Sequence, residues 1–295
     1  MHTSIAGALV NAAHRAHEIG CDTFQIFSAN PRGWNTRSPS AAECAGFRQV
    51  RGDYGLSPLV IHANYLINLA SLDPAVRLPS IAAFRKELER ALALGADYVV
   101  LHPGSAKGGE RGEALRNCVE SLARAAEGLD FGGLRVLLEN TAGQGDVLGW
   151  NLEELAALLD GASREIPAGV CIDTAHLFAA GYAIHTARGL REAVRQLEAC
   201  IGLENVRVIH ANDSKTPFGS RTDRHEHIGK GAIGAEGFRG IVRHPKLRAI
   251  PFICETPVDR PNDDRMNLRA MRKLAGEAPK LGNRRQKASS AGERP

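Results

Sequence analysis

Six times along the chain, a short apolar run ends on an acid or a histidine. The runs are PLVIH ending at His62, DYVVLH at His102, RVLLE at Glu139, GVCID at Asp173, VRVIH at His210 and PFICE at Glu255. A seventh run, TFQIF over residues 23–27, has the same apolar look without the polar terminus. Successive ends lie about 35 to 45 residues apart, the length of a strand, a loop and a crossover helix. The segments between them have apolar residues at three- and four-residue steps, as in IAAFRKELERALALGA, NLEELAALLDGA and GLREAVRQLEACIG, which is the helical period. Unbroken apolar strands alternating with amphipathic helices imply a parallel sheet buried on both faces. Seven such strands predict an α/β fold, a single (β/α)₈ barrel over residues 1–278. A doubly wound open sheet is the alternative, but it gathers its site at one switch point and not at six strand ends.

An eighth strand should precede the helical pattern at Ala6 to Ile19, yet the chain starts two residues before Thr3. The first strand is therefore expected as a truncated stub, leaving an open seam and lower stability, and a start codon upstream of Met1 is expected. Residues 279–295, PKLGNRRQKASSAGERP, have almost no apolar side chains and read as a basic, disordered tail.

Composition narrows the function classes. The net charge of +4 permits an anionic partner without demanding one. No apolar run approaches a membrane span and the N-terminus is not a signal peptide. The six cysteines stand far apart with no CxxC pair, the pattern of reduced, mostly buried thiols in a cytoplasmic protein.

In a parallel barrel the C-terminal strand ends open into one mouth, so His62, His102, Glu139, Asp173, His210 and Glu255 should converge. Buried carboxylates without basic partners are costly, and metal coordination compensates them. Two further clusters follow strand ends. DTAH sets His176 one helical turn after Asp173, and in TDRHEH an extended segment puts Asp223 and His225 on one side. The nine candidates, five His, two Asp and two Glu, contain no thiolate and suit Zn²⁺, with Mn²⁺ or Fe also compatible. Nine exceed what one ion takes, so the set suits two or three clustered metals, the equipment of phosphoester hydrolysis. Within the same loop, Glu226 should point away and anchor the chain, and His227 should be a bystander. His2, His14, His17, His185 and His244 lie off the strand ends and read as surface or packing residues. Trp34 and Tyr65 sit on mouth loops, where they suit either core packing or a nucleic-acid groove.

HANYLINLA, LHPGS, LLENTAGQG, CIDTAHLFAAGY, IHANDSKTPFGSRTDRHEHIGKGAIG and ICETP, in this order from about His2 to Leu274, closely resemble the endonuclease IV family of apurinic/apyrimidinic endonucleases. The resemblance implies a barrel enzyme with three zinc ions, one of which can be Mn²⁺, that incises double-stranded DNA 5′ to abasic sites. The products are a 3′-hydroxyl and a 5′-deoxyribose phosphate. It implies one ion on His62, His102 and Glu139, a second on Glu139, Asp173, His210 and Glu255, and a third on His176, Asp223 and His225. Glu139 or Glu255 would accept the proton of the attacking water. Arg32 and Tyr65 would enter the gap left by a flipped-out abasic nucleotide, and Asn212, Lys215 and the loop from Gly219 to Arg224 would line the groove. A monomer is expected. The sequence departs from the family pattern at Ala175, Ala183 and Lys230, commonly Cys, Asp and Glu, and at its start, where IGAH is usual. Lys230, a cation near three zincs, should turn outward to meet a phosphate. A sugar isomerase or epimerase of the same barrel type, with fewer metal ligands, and an inactive nucleic-acid-binding barrel are the competing readings.

Overall fold

Every apolar run forms a strand, and the helical patterns fall between them. The protein is described by a computed structural model over residues 1–277, apart from residues 32, 35 and 36; the basic tail and Arg32 lie outside the described residues. In chain order the elements are α1 (Val10–Ile19), β1 (Phe24–Phe27), α2 (Ala41–Asp53), β2 (Leu59–His62), α3 (Pro74–Leu94), β3 (Tyr98–Leu101), α4 (Arg111–Ala126), β4 (Arg135–Glu139) and α5 (Leu152–Ser163). They continue with β5 (Ala168–Asp173), α6 (Thr174–Ala180), α7 (Ala187–Cys200), β6 (Val206–His210), β7 (Asp213–Ser214), β8 (His225–Glu226), α8 (Gly234–Arg243), β9 (Phe252–Ile253) and α9 (Asp263–Ala275). Local chemistry sets the helix boundaries. Ser40 and Glu43 form a capping box at the start of α2, Asn151 caps α5, and α3 stops at Gly95, which adopts φ 65°. Helix α3 begins at Asp73 and Pro74, one to two turns before its apolar period becomes visible, because the Asp73 side chain accepts the Ala75 N–H.

Strands β1, β2, β3, β4, β5, β6 and β9 pair in that order, all parallel, while β7 and β8 form a separate antiparallel ribbon at the mouth. Because side chains alternate along a strand, one set faces the helices and the other the lumen. Val60, Val100, Leu137, Cys171, Val208 and Ile253 form a compact buried cluster, one residue from each of six strands. Val99, Val136, Leu138, Val170, Ile172 and Ile209 belong to the larger core under the helices. The lumen cluster fills the barrel centre, so the site must lie above it.

The seam between β1 and β9 is closed. The His2 N–H donates to the Cys254 carbonyl at 3.0 Å, the Thr3 N–H to the Gln25 carbonyl at 2.8 Å, and the Gln25 N–H to the Met1 carbonyl at 3.0 Å. His2 thereby forms a parallel bridge with Gln25, and Met1 and Thr3 are buried. The expected open seam is thus corrected. Three residues suffice because each neighbour offers only one or two backbone groups there, and the closed ring excludes the doubly wound alternative. All six cysteines are free, with only Cys200 not fully buried. No helix among the described residues is long and apolar enough to cross a membrane.

Thr3→Pro deletes the N–H that the Gln25 carbonyl receives. Leaving that buried acceptor unpaired should cost about 1–3 kcal/mol, read as a lower urea midpoint in chemical denaturation. An unchanged midpoint would mean the stub contributes nothing to closure.

Candidate metal centre

Each expected strand-end ligand lies two residues beyond a lumen residue: 60 then 62, 100 then 102, 137 then 139, 171 then 173, 208 then 210, and 253 then 255. The same period that packs the lumen therefore aims all six into the space directly above it. Three groups of ligand atoms result, each within 4.8 Å: His62, His102 and Glu139; Glu139, Asp173, His210 and Glu255; and Asp173, His176 and His225. Asp223 joins the last group, with its carboxylate oxygens 3.2 Å from His176 Nε2 and 3.2 Å from His225 Nε2. All nine sequence-derived ligands are brought together, and Asp173 faces the third group as well as the second.

The centre turns on Glu139, which is fully buried. Its Oε2 lies 3.3 Å from His62 Nε2 and 3.1 Å from His102 Nε2, and its Oε1 lies 3.0 Å from His210 Nδ1. One carboxylate thus presents an oxygen to each of two ligand groups. Glu139 Oε2, His176 Nε2 and His225 Nε2 are buried with no hydrogen-bond partner among the described residues. Orphaned buried donors and acceptors are rare in folded proteins, and these three belong to the two groups expected to flank the shared centre. The donor set and the orphaned atoms fit divalent metal ions.

Carbonyl oxygens fix the histidine tautomers. His62 Nδ1–H donates to the Ala63 carbonyl at 2.8 Å, His176 Nδ1–H to the Asn140 carbonyl at 2.8 Å, and His225 Nδ1–H to the Glu255 carbonyl at 3.2 Å. Since a carbonyl can only accept, each ring turns a lone pair at Nε2 into the centre. His210 is reversed: its Nε2–H donates to Gln25 Oε1 at 2.8 Å, leaving Nδ1 to face Glu139 and Glu255. Gln25 spends both of its amide protons too, one on Glu255 Oε1 and one on His2 Nδ1 at 3.0 Å. Asp173 also caps α6: its Oδ1 accepts the His176 N–H at 2.8 Å, which sets His176 in place.

Several positions differ from expectation. Asn212, expected to contact DNA, is fully buried; its side-chain amide donates to Asp173 Oδ2 at 2.6 Å and its carbonyl accepts the Glu255 N–H at 2.7 Å, so it holds two ligands. His2, expected to be surface or packing, stands at the site with its ring 4.3 Å from that of Phe27 and Nδ1 3.6 Å from Glu255. Sequence reasoning misses Gln25, although an amide inside an apolar strand is itself a signal. It misses Asn140 too, whose side chain accepts the Asp173 N–H at 2.6 Å. Tyr65 and Lys215 are exposed on mouth loops. Glu226 accepts the His227 N–H and lies 3.9 Å from Lys215, in keeping with a loop anchor. His227 stands apart from the nine, near Asp259 and Asp263, and Asp263 is already spent on the N–H groups of Asp259 and Arg260.

Residues 13–275 match a family model described as a xylose isomerase-like TIM barrel. A probable endonuclease 4 of Solibacter usitatus is 52% identical over 278 residues, spanning 94% of this chain and 96% of that protein. The chain belongs to the endonuclease IV family. A probable endonuclease 4 of Methanoculleus marisnigri is 42% identical over 93% of this chain and 98% of its own length. The crystal structure of endonuclease IV from Thermus thermophilus superposes with a TM-score of 0.83 at 38% identity, covering 94% of this chain and 98% of that one. A D-tagatose 3-epimerase-like protein, with a TM-score of 0.69 at 22% identity, shares the barrel alone. Of the departures from the endonuclease IV pattern, Ala175 is buried in α6. Lys230 places its Nζ 3.3 Å from Met266 Sδ, in a pocket with His227, Asp259 and Asp263. This pocket contains none of the nine ligands, so the cation stands outside the metal centre.

Charge is concentrated in this endonuclease IV centre. Burial opposes ionisation of Glu139, yet His210 and His102 hold its carboxyl well below the usual range. Burial likewise opposes charge on His176 and His225, but the carboxylates of Asp173 and Asp223 outweigh it. They raise His176 well above its ordinary value and His225 to about 9. Histidines raised on folding stabilise the metal-free fold fully below about pH 6.5, and that contribution is lost as pH climbs through the folded value. Metals must displace the same protons. Metal-free protein should therefore lose stability from about pH 6.5 to 9 while divalent-metal uptake tightens and releases protons, checked by urea melts of chelated protein and by calorimetric titration in two buffers. A flat stability profile across that window would contradict the assignment.

Asn212→Ala should weaken metal retention about 10–100-fold, the usual effect of removing a partner that orients a ligand, while leaving the salt dependence of DNA binding unchanged. Competition with a chelator and a salt titration measure the two effects separately.

Proposed function

We infer that the protein is a metal-dependent endonuclease that cleaves double-stranded DNA on the 5′ side of an abasic site, leaving a 3′-hydroxyl and a 5′-deoxyribose phosphate. The observation that carries this reading is the convergence of nine ligands into three groups that share Glu139 and Asp173. Zinc ions held there, three per chain, supply positive charge to the phosphate and make water a stronger acid. His62, His102 and Glu139 would hold one ion, Glu139, Asp173, His210 and Glu255 the second, and His176, His225 and Asp223 the third, with Asp173 in reach.

The chain's own residues divide the remaining work. Tyr65 is 56% exposed, and its ring packs against Phe27 and His62 at 5.1 and 5.5 Å. That braces an aromatic face beside the first ligand group, suited to stacking in the gap of an extruded nucleotide. Leu66 is exposed beside it. Lys215, beside the β7–β8 ribbon, offers a phosphate contact, and Arg32 is assigned with Tyr65, by the family resemblance, to the gap left by the extruded nucleotide. As proton acceptor Glu255 is favoured over Glu139, because 13% of its side chain is open and Glu139 is sealed. The third ligand group argues against a sugar isomerase or epimerase, which needs fewer ligands, and the complete ligand set argues against an inactive barrel.

The test is a duplex carrying one abasic analogue, incubated with and without a strong chelator. The expected result is a single nick 5′ to the lesion that the chelator abolishes, with about three zinc per chain by atomic emission. His225→Ala should lose roughly one zinc and at least about 100-fold in cleavage, while His227→Ala keeps both. Equal losses in the two variants would refute the ligand assignment.

A further inference from the structure

The strands begin at a floor, opposite the mouth, and the floor of the lumen is basic. Tyr98, Arg135 and Gly169 stand two residues before Val100, Leu137 and Cys171 of the lumen cluster, so they share its inward face one layer down. Tyr98 packs against that cluster. Arg207 joins them through an irregularity in the ladder. Val170 pairs with Val206, but Cys171 pairs with Val208, which leaves Arg207 as an extra residue on β6. A bulge of this kind re-aims a side chain. Gly169 makes the space: a Cβ there would stand 2.9 Å from Leu137 Cδ2 and 3.2 Å from Arg207 Cγ. The Arg207 stem therefore lies under Leu137, where residue 169 would otherwise place a side chain.

Both guanidiniums lack a counter-charge. Arg207 Nε is buried with no hydrogen-bond partner, and Arg135 makes one long bond, from Nη1 to the Ala168 carbonyl at 3.4 Å. Neither forms an ion pair among the described residues. Asp97, beside Tyr98 in the chain, is already spent on Arg51 at 2.8 Å and on the Leu59 N–H at 2.7 Å. Several other arginines are matched. Arg90 meets Glu87 at 2.9 Å, Arg111 donates to Glu154, and at the mouth Arg221 lies over Trp150 with its guanidinium carbon 4.2 Å from the ring centroid. A buried N–H of a charged group is seldom left unused. Arg135 and Arg207 are held at adjacent residues of β5, Ala168 and Gly169, and both are only half-buried. An anion from solvent can therefore reach them together.

We propose that Arg135 and Arg207, with Tyr98 as a third wall, form a binding site for a phosphate-class dianion at the floor of the barrel. Two guanidinium forks carry two positive charges and match the paired oxygens of a tetrahedral oxyanion. The dianion neutralises both arginines and takes the unused Nε–H of Arg207. Its source is inorganic phosphate or a small phosphate monoester, which share this chemistry. The site is separate from the metal centre, since the six lumen residues lie between the two, and it does not rest on the reading of the mouth. A ligand held only by the folded chain stabilises the fold by mass action, so occupancy is read as a shift in melting temperature.

The test uses the zinc-loaded full chain, melted by far-ultraviolet dichroism in rising inorganic phosphate, with sodium chloride holding the ionic strength constant. Wild-type protein should gain about 2–4 °C at a several-fold excess over the dissociation constant. Arg135→Gln and Arg207→Gln should each lose most of that gain, and the double variant should keep only the part that phosphate earns at the metal centre. The reading is the gain within each variant, so a change in its starting melting temperature does not enter. Arg164→Gln, on the exposed end of α5 and paired with Asp160, is the control and should keep the full gain. Glycerol phosphate, run in parallel, separates the sources: a larger gain than with phosphate marks a monoester as ligand, a smaller one the free ion. Zinc content, by atomic emission, should match wild type in every variant. No gain in wild type, an equal gain in the double variant, or a loss confined to one of the two single variants would overturn the proposal. Loss of zinc together with the gain would place the phosphate effect at the metal centre and overturn it as well.

Discussion

A carboxylate with no access to water must find compensating positive charge or hydrogen-bond donors, and Glu139 finds little of either in the surrounding backbone. Its oxygens face four imidazoles, and carbonyl groups orient three of the five ligand histidines in turn. The arrangement answers a problem of solvation: burying this much acid is tolerable only if cations come to it. Asp173 extends the same logic, with one oxygen capping α6 and the other held by Asn212. The ligand frame is therefore braced by secondary structure, and its geometry is as stiff as the barrel beneath it.

That stiffness has a simple origin in strand periodicity. The lumen cluster and the ligand set are successive steps of one two-residue period, so packing of Val60, Val100, Leu137, Cys171, Val208 and Ile253 settles which way the ligands point. A one-residue slip in any strand would turn its ligand under the helices. Loop ligands lack this guarantee. Asp223 and His225 depend on the short β7–β8 ribbon, which Asp213 secures by accepting the N–H groups of Ser214, Gly231 and Ile233.

The barrel and the nine ligands are legible in the sequence because strand period, crossover length and terminal residue type all repeat. What escapes is chemistry inside the repeats. Gln25 sits where an apolar residue would satisfy the pattern, and its partners Glu255 and His210 are 230 and 185 residues away, too distant for local reasoning. Asn212 is placed in the groove by the family resemblance of NDSK, but the chain bends back there and buries it. The closure by Met1 to Thr3 is hidden for another reason. A normal strand length is needed for an isolated strand, whereas a stub inserted between two existing neighbours needs only a few backbone hydrogen bonds.

The stack of Arg221 on Trp150 also has an optical consequence. The chain contains two tryptophans, Trp34 on the loop after β1 and Trp150 on the loop after β4, and neither belongs to the buried core. Intrinsic indole emission therefore comes from the rim alone, and a nearby guanidinium is well placed to alter it. A fluorescence melt would follow loosening of the mouth, whereas far-ultraviolet dichroism would follow the barrel, so the two curves need not coincide even if the barrel itself unfolds in one step. The molecule carries its own reporter of the barrel mouth, distinct from the backbone signal of the scaffold underneath.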